Sequence, residues 1–265
     1  MGTTEIDFKP EKRGLKVCLI QADIEWANTQ ANVENMRHQL LGAPPSDLYV
    51  LPEMWSTGFI TSPTPSAVAD WHLALGFMQE MATKLDAAVS GSLAVQAEDG
   101  TYRNRLFFVT PSDVSYYDKR HLFTYGGEDK HYTAGSERVV VEWRGVRFLL
   151  QVCYDLRFPV FARNKAEGAS AYDAILYVAS WPVTRIEVWK TLLRARAIEN
   201  QCYVFGVNRI GTDPVCQYSG ATLYVDPYGR SVQCPDDTAH NLIGIIDMER
   251  LQSFRKKFPV LADAD

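Results

Sequence analysis

The sequence has no apolar run near the roughly 20 residues that a membrane-crossing helix needs, so a membrane-spanning role is not expected. Its first residues, Met1 to Lys16, mix charges of both signs without an apolar core, and no secretory signal is expected there. Cysteine is scarce and unpaired. The five thiols, Cys18, Cys153, Cys202, Cys216 and Cys234, are odd in number and include no C-x-x-C. That excludes an evident disulfide framework and suits a reducing, cytoplasmic compartment. Excess positive charge is missing too. With 27 Lys and Arg against 32 Asp and Glu, the formal net charge of −5 argues against a nucleic-acid partner, because such sites need a basic surface. His38, His72, His121, His131 and His240 are scattered with no H-E-x-x-H, so no zinc hydrolase and no metal is expected. Without G-x-S-x-G a serine nucleophile elbow is disfavoured. Without G-x-G-x-x-G or a Walker A pattern a nucleotide-binding enzyme is discounted. No linker, charge block or internal repeat divides the chain.

Apolar residues make up 46% of the chain and charged residues 22%, enough to build a core of ordinary globular kind. Strand patterns fall at 15–20, 48–51, 87–95, 102–110, 114–117, 139–143, 146–152, 174–179, 203–208, 221–225, 231–234 and 242–246. Helical patterns fall at 28–41, 66–85, 158–167 and 184–201, the last with Ile186, Trp189, Leu193 and Ala197 on one face. Strands joined by helices, with several hairpin-like joins, predict an α/β protein with mixed sheets. So many strands in 265 residues suggest two sheets packed face to face with helices outside, although periodicity alone does not settle the layering. The chain is read as one domain, 1–265, with a core at about 15–246 and a C-terminal tail at 247–265.

Three side chains stand directly after strand patterns. Cys153 ends the run Phe148-Leu149-Leu150-Gln151-Val152, Glu53 follows Leu48-Tyr49-Val50-Leu51-Pro52, and Lys119 follows Ser115-Tyr116-Tyr117-Asp118. Strand ends are where α/β folds commonly place their sites. Taken singly, a buried structural thiol accounts for Cys153 equally well, and a loop glutamate and a solvated lysine are the favoured readings of the other two. As a set they make chemical sense. A thiol is only partly ionised at neutral pH and needs a base, which a carboxylate supplies. A lysine ammonium would favour the thiolate and stabilise an oxyanion formed when sulfur attacks a carbonyl or nitrile carbon.

The segments Leu51-Pro52-Glu53-Met54, Tyr117-Asp118-Lys119-Arg120-His121-Leu122 and Val152-Cys153-Tyr154-Asp155-Leu156-Arg157-Phe158-Pro159 resemble the Glu, Lys and Cys motifs of the nitrilase superfamily of carbon–nitrogen hydrolases. Ala179-Ser180-Trp181-Pro182, Arg194-Ala195-Arg196-Ala197-Ile198-Glu199-Asn200 and Asp226-Pro227-Tyr228-Gly229 fit as well, so the likeness runs from about Leu15 to Ile246. It implies a four-layer α-β-β-α sandwich without a cofactor. It also implies roles: Glu53 as general base, Lys119 and the Tyr154 N–H as oxyanion donors, and Cys153 as nucleophile. Glu128, in Gly126-Gly127-Glu128-Asp129, resembles the family's second glutamate, with Asp129 leaving the register open by one residue.

Tyrosine rather than tryptophan after the cysteine resembles the amidase branches, and the run through Pro159 is similar to Nit-type amidases, above all omega-amidases. This likeness implies a small-molecule substrate, a keto-acid amide such as 2-oxoglutaramate or 2-oxosuccinamate, cleaved to acid and ammonia through a cysteinyl thioester. The far carboxylate of such a substrate calls for a cation. Arg157 is the first candidate and Arg185 the second, with Trp181 and Tyr125 as possible pocket walls. N-carbamoyl amino acid hydrolase, deaminated-glutathione amidase and nitrilase remain alternatives within the superfamily, and a catalytically silent binding protein is the alternative outside it. The family likeness also implies a homodimer, paired through 158–167 and 184–201.

Overall fold

The computed structural model describes residues 14–169 and 171–263. The N-terminal reading and the outer limits of the 1–265 span lie outside these residues. In chain order the elements are β1 (Leu15–Gln21), α1 (Thr29–Gly42), β2 (Leu48–Val50), α2 (Pro65–Val68), α3 (Trp71–Leu85), β3 (Ala88–Gln96), β4 (Tyr102–Val109) and β5 (Val114–Asp118). Then come β6 (Val140–Trp143), β7 (Val146–Val152), α4 (Pro159–Ala162), β8 (Ala174–Ala179), α5 (Ile186–Glu199), β9 (Tyr203–Asn208) and the short pair β10 (Ile210–Thr212) and β11 (Gln217–Ser219). β12 (Leu223–Val225), β13 (Ser231–Gln233), β14 (His240–Ile246) and α6 (Met248–Lys257) complete the order.

Two six-stranded sheets form, β14-β1-β2-β3-β4-β5 and β13-β12-β9-β8-β7-β6. Each has three parallel strands at its centre, β1-β2-β3 in one and β7-β8-β9 in the other, flanked by antiparallel pairings. Alternating side chains assign the faces. In β1, Val17 and Leu19 enter the layer between the sheets, while Cys18 and Ile20 face the layer under α1 and α3. Leu106 and Phe108 of β4 meet the second sheet's Phe148, the two rings 5.8 Å apart. Burying each such side chain fully contributes about 1.5–3 kcal/mol.

Met36, Leu40, Phe77 and Met81 cover the first sheet from outside. Trp189, Leu193 and Ala197 of α5 pack against the second. A Cβ on Gly206 of β9 would lie 2.4 Å from the Leu193 side chain and 2.8 Å from that of Trp189, so glycine lets α5 sit close. The architecture is the expected four-layer α-β-β-α sandwich with mixed sheets. No helix among the described residues is long and apolar enough to cross a membrane.

Four local features differ from the sequence expectations. The helix expected at 66–85 is broken at Ala69–Asp70 into α2 and α3. The helix expected at 158–167 lasts only from Pro159 to Ala162. The Asn164 side chain binds the N–H groups of Lys165 and Tyr172 and the carbonyls of Tyr172 and Asn200, competing with helical bonding. The β10–β11 hairpin was not expected; its three-residue strands are too short to show a period. Part of the segment read as a tail, 248–257, is helix α6. Asp247 caps it by accepting from Arg250 N at 2.9 Å, and Arg255 anchors it through the Tyr172 and Gln201 carbonyls and Asp173.

Candidate active site

β7 ends at Val152, and Cys153 opens a 3₁₀ segment running to Arg157. Its φ is +46°, in the left-handed region that a Cβ-bearing residue rarely occupies. Such a conformation costs on the order of 1–3 kcal/mol and persists only when neighbours enforce it. Fully buried Asp155 supplies the enforcement. Its Oδ2 accepts from Val152 N (2.9 Å) and Tyr117 Oη (2.8 Å), and its Oδ1 accepts from His121 N (2.9 Å) while lying 2.8 Å from His121 Nδ1. The Tyr117 hydroxyl in turn accepts from Arg120 N at 3.0 Å. One carboxylate thereby ties the residue before Cys153 to the residues on both sides of Lys119. Tyr154 lies in the first turn of the segment, where backbone N–H groups have no partner within the turn.

Glu53, after β2, and Lys119, after β5, meet with both side chains fully buried, Lys119 Nζ donating to Glu53 Oε1 at 2.9 Å. Lys119 Nζ also donates to Glu128 at 2.9 and 3.1 Å. Glu53 Oε2 accepts from Ser180 N, after β8, at 2.8 Å. Glu128 Oε2 accepts from Phe123 N at 2.6 Å. Asn104 on β4 donates through Nδ2 to Glu53 Oε1 (2.8 Å) and Glu128 Oε1 (3.0 Å). The Phe59 ring lies 5.2 Å from Lys119 Nζ.

Burial favours neutral forms, and neighbouring charges decide each case. Burial pushes the Lys119 pKa down, but Glu128 and Glu53 override it and hold the ammonium charged. Burial, and then the Glu53 charge, push the Cys153 thiol well above its ordinary range against the pull of Lys119, with a hydrogen bond to Glu53 acting in the same direction. These influences favour a protonated Cys153 thiol with Glu53 beside it. Lys119 does favour the thiolate, as the sequence led one to expect, but one cation shared between two carboxylates does not offset burial. Glu128 is also raised, by burial first, with Lys119 lowering it and Glu53 raising it.

Cys153 is 9% exposed and opens into a cavity of about 240 Å³. Phe59, Phe123, Tyr154 and Trp181 give it apolar walls, and Arg157, Arg185, Asp213 and Cys216 line it as polar side chains. Trp181 is fixed by Trp181 N donating to Asn208 Oδ1 (2.7 Å) and by its Nε1 donating to Arg185 O (2.9 Å). The Arg157 guanidinium lies 5.2 Å from the Trp181 ring, and that of Arg185 lies 5.5 Å from Phe123. Among the described residues, neither guanidinium has a hydrogen bond or an ion pair. No cluster of three or more His, Cys, Asp or Glu side chains among the described residues could hold a metal ion.

The fold thus gathers Glu53, Lys119, Glu128 and Cys153 at one point, and sets Tyr154, Arg157, Trp181 and Arg185 around the cavity above them. Of the two acidic residues between which the register was left open, Glu128 is fully buried and bonded to Lys119, while Asp129 is exposed. Tyr125 departs from expectation: it is 85% exposed and is not a cavity wall, because the 3₁₀ turn Thr124–Gly126 turns its ring outward beside Phe123 and Arg185. Asn104, Asp155 and Asp213 were missed. Asn104 shares its strand face with Leu106 and Phe108, so a polar residue in register with core positions was the available signal. Asp213-Pro214 is a turn signal, and Asp213 Oδ1 accepts from Val215 N (2.8 Å) and Cys216 N (2.7 Å) to close the hairpin that walls the cavity.

The carbon–nitrogen hydrolase family model matches residues 16–256. A protein of Escherichia coli K12 named omega-amidase YafV is 43% identical over 257 residues, covering 95% of this chain and 97% of that protein. A 2-oxoglutaramate amidase of Bacillus subtilis is 31% identical, with 93% and 96% covered. Among solved structures, XC1258 from Xanthomonas campestris, described as a CN-hydrolase superfamily protein with an arsenic adduct in the active site, superposes with a TM-score of 0.89 at 38% identity, covering 96% of this chain and 98% of that one. The chain belongs to the carbon–nitrogen hydrolase family and is a hydrolase acting on amides.

Proposed function

We propose that this enzyme is an omega-amidase, hydrolysing the terminal carboxamide of a small keto-acid amide, 2-oxoglutaramate or 2-oxosuccinamate, to the acid and ammonia. The observation that carries the reading is the Cys153 thiol beside Glu53 and Lys119, opening into a small cavity lined by two guanidinium groups that have no hydrogen bond or ion pair among the described residues. Relatives named omega-amidase and 2-oxoglutaramate amidase support it. A substrate carboxylate would find in Arg157 or Arg185 a charge-assisted partner that no described residue uses.

In the reaction, Glu53 takes the Cys153 proton as sulfur attacks the amide carbon. Lys119 and the Tyr154 N–H hold the tetrahedral oxyanion, where a donor of this kind contributes most. Glu53 returns the proton to nitrogen, the C–N bond breaks, ammonia leaves and a thioester remains. Glu53 then takes a proton from water, which attacks the thioester carbon. The C–S bond breaks, sulfur regains the proton from Glu53, and the acid departs. Lys119 keeps its charge throughout, consistent with the two carboxylates that hold it.

Purified enzyme assayed on 2-oxoglutaramate, 2-oxosuccinamate, an N-carbamoyl amino acid and a simple nitrile tests the reading. Preference for either keto-acid amide is expected, and it should vanish in Cys153→Ala. Preference for the carbamoyl compound or the nitrile, or undiminished hydrolysis by Cys153→Ala, would overturn it.

Cytoplasmic residence and dimerisation go with this reading. All five cysteines are free, which suits a reducing compartment. Val160 on α4 (89% exposed) and Ile198 on α5 (55% exposed) offer apolar surface for a twofold contact. Light scattering at micromolar concentration should give a dimer mass, and a monomer mass would count against pairing.

A further inference from the structure

The buried cluster holds two carboxylates and one ammonium, all without solvent. If all three are ionised the cluster carries one excess negative charge, and burial disfavours that state. Both carboxylates lie against the same ammonium and therefore against each other. Asn104 occupies the gap, giving one N–H to Glu53 at 2.8 Å and the other to Glu128 at 3.0 Å. Its backbone carbonyl accepts from Lys119 N at 2.9 Å, so the same residue also fixes the chain that carries the ammonium.

We propose that Asn104 is a positioning residue of the catalytic site: its carboxamide holds the Glu53 and Glu128 carboxyl groups in place on either side of Lys119, so that Glu53 is set to accept the Cys153 proton.

The choice of side chain fits the task. A carboxamide supplies two N–H donors with no charge. A hydroxyl would satisfy one carboxylate, a second cation would compete with Lys119, and an aspartate would add a third negative charge. The orientation of the amide is fixed by its surroundings, since the flipped rotamer would aim a carbonyl oxygen at both carboxylates. The buried Asn104 Oδ1 is left without a partner. An orphaned acceptor is retained in a core only where the rest of the group is needed. Hydrogen bonding from Asn104 lowers the Glu128 pKa, opposing burial and the Glu53 charge.

The titratable groups around Glu53 are few. Lys119 after β5, Glu128 in the turn Glu128–Lys130, Cys153 in its 3₁₀ segment and Tyr132 beyond the turn all act on this cluster. Lys119 stays charged, and Cys153 and Tyr132 stay protonated through the neutral range.

The inference rests on Glu53 being the base, so its test separates the two ideas and needs no knowledge of the substrate. The rate of Cys153 alkylation by iodoacetamide is followed against pH in the full chain, with Cys153→Ala as the blank. Asn104→Asp, which keeps the volume, and Asn104→Ala are compared with the unaltered protein, each checked for fold by near-ultraviolet circular dichroism. Loss of a donor to a charged group should move the acid limb of the profile upward by about one to two pH units. A uniform fall in rate with the limb unmoved in Asn104→Asp would mean a merely structural role and overturn the proposal. In Glu53→Gln the limb should give way to one set by the thiol's own ionisation at higher pH. If the limb stays where it was in Glu53→Gln, Glu53 is not the base and both ideas fall; if it moves there but stays put in the Asn104 variants, only the proposal for Asn104 falls.

Discussion

The floor of the cavity and its rim are built on opposite principles. At the floor, Glu53, Lys119 and Glu128 are fully buried and bonded to one another, and backbone N–H groups of Ser180 and Phe123 complete the carboxylates. At the rim, Arg157 lies against the Trp181 ring and Arg185 against the Phe123 ring, neither guanidinium hydrogen-bonded among the described residues, and Val215 on the hairpin is 88% exposed. A preorganised cluster gains nothing by rearranging during reaction, whereas an unpaired guanidinium has its partner still to come. The contrast separates groups suited to bond breaking from groups suited to choosing what is broken. Damage to the floor should lower turnover for every amide, and damage to the rim should change which amide is preferred.

The largest break comes from removing the shared cation. Lys119→Met leaves Glu53 and Glu128 buried against each other with no positive charge. We expect a loss of about 3–5 kcal/mol in unfolding free energy from urea titration. Hydrolysis should fall by roughly 10²–10³-fold or more. An unchanged urea midpoint would show that the two carboxylates do not depend on Lys119.

Next is the elbow. Asp155→Asn keeps the volume but turns an N–H donor toward Val152 N, Tyr117 Oη or the His121 donors. A destabilisation of about 1–3 kcal/mol is expected, with kcat reduced for charged and uncharged amides alike. A change in KM alone would place Asp155 with the rim instead.

The pH behaviour of the thiol sharpens the same comparison. Burial first and Glu53 second push the Cys153 pKa up, so the protonated form persists as pH rises through the neutral range. Thiolate absorbance near 240 nm assignable to Cys153, by difference from Cys153→Ala, should stay absent at pH 8. In Glu53→Gln the second cause is gone, and the thiolate should appear at lower pH than in the unaltered protein. A full thiolate signal at pH 7 in the unaltered protein would contradict the resting state described above.

At the rim, Arg185→Gln and Arg157→Gln should raise KM for a carboxylate-bearing amide by about tenfold to a hundredfold, the worth of one charge-assisted bond. Neither should alter turnover of an uncharged amide such as butyramide by more than about twofold. If one variant raises KM and the other does not, that arginine is the carboxylate anchor.

The floor was far more legible in the sequence than the rim. Glu53, Lys119 and Cys153 each follow a strand whose apolar run is plain, and strand ends hold side chains where the fold needs them. Alternation in β1 and β4 even sorts side chains between the two core layers. Asn104 could have been read by the same parity, but attention to motifs passes over a polar residue between two arginines. The rim depends on less regular structure. Three-residue strands in the hairpin carry no period, and Tyr125 turns outward on a single 3₁₀ turn. Helix α6 docks through Arg255 and the Tyr172 and Gln201 carbonyls as well as through Met248, Leu251 and Phe254, of which only Leu251 is fully buried.

The smallest effect is expected at Tyr125, where rim and solvent meet. Its ring is 85% exposed and its neighbours are Phe123, 5.8 Å away between centroids, and the Arg185 guanidinium at 5.9 Å. A cation–π contact at so exposed a site contributes about 0.5–1 kcal/mol at most. Tyr125→Ala should therefore leave kcat unchanged and shift KM for a keto-acid amide by no more than about fivefold, through Arg185 alone. Combined with Arg185→Gln, the tyrosine change should add nothing further, because the contact it removes is already gone. An additional loss in the double variant would show that Tyr125 meets the substrate directly, and the boundary between rim and solvent would have to be drawn one residue further out.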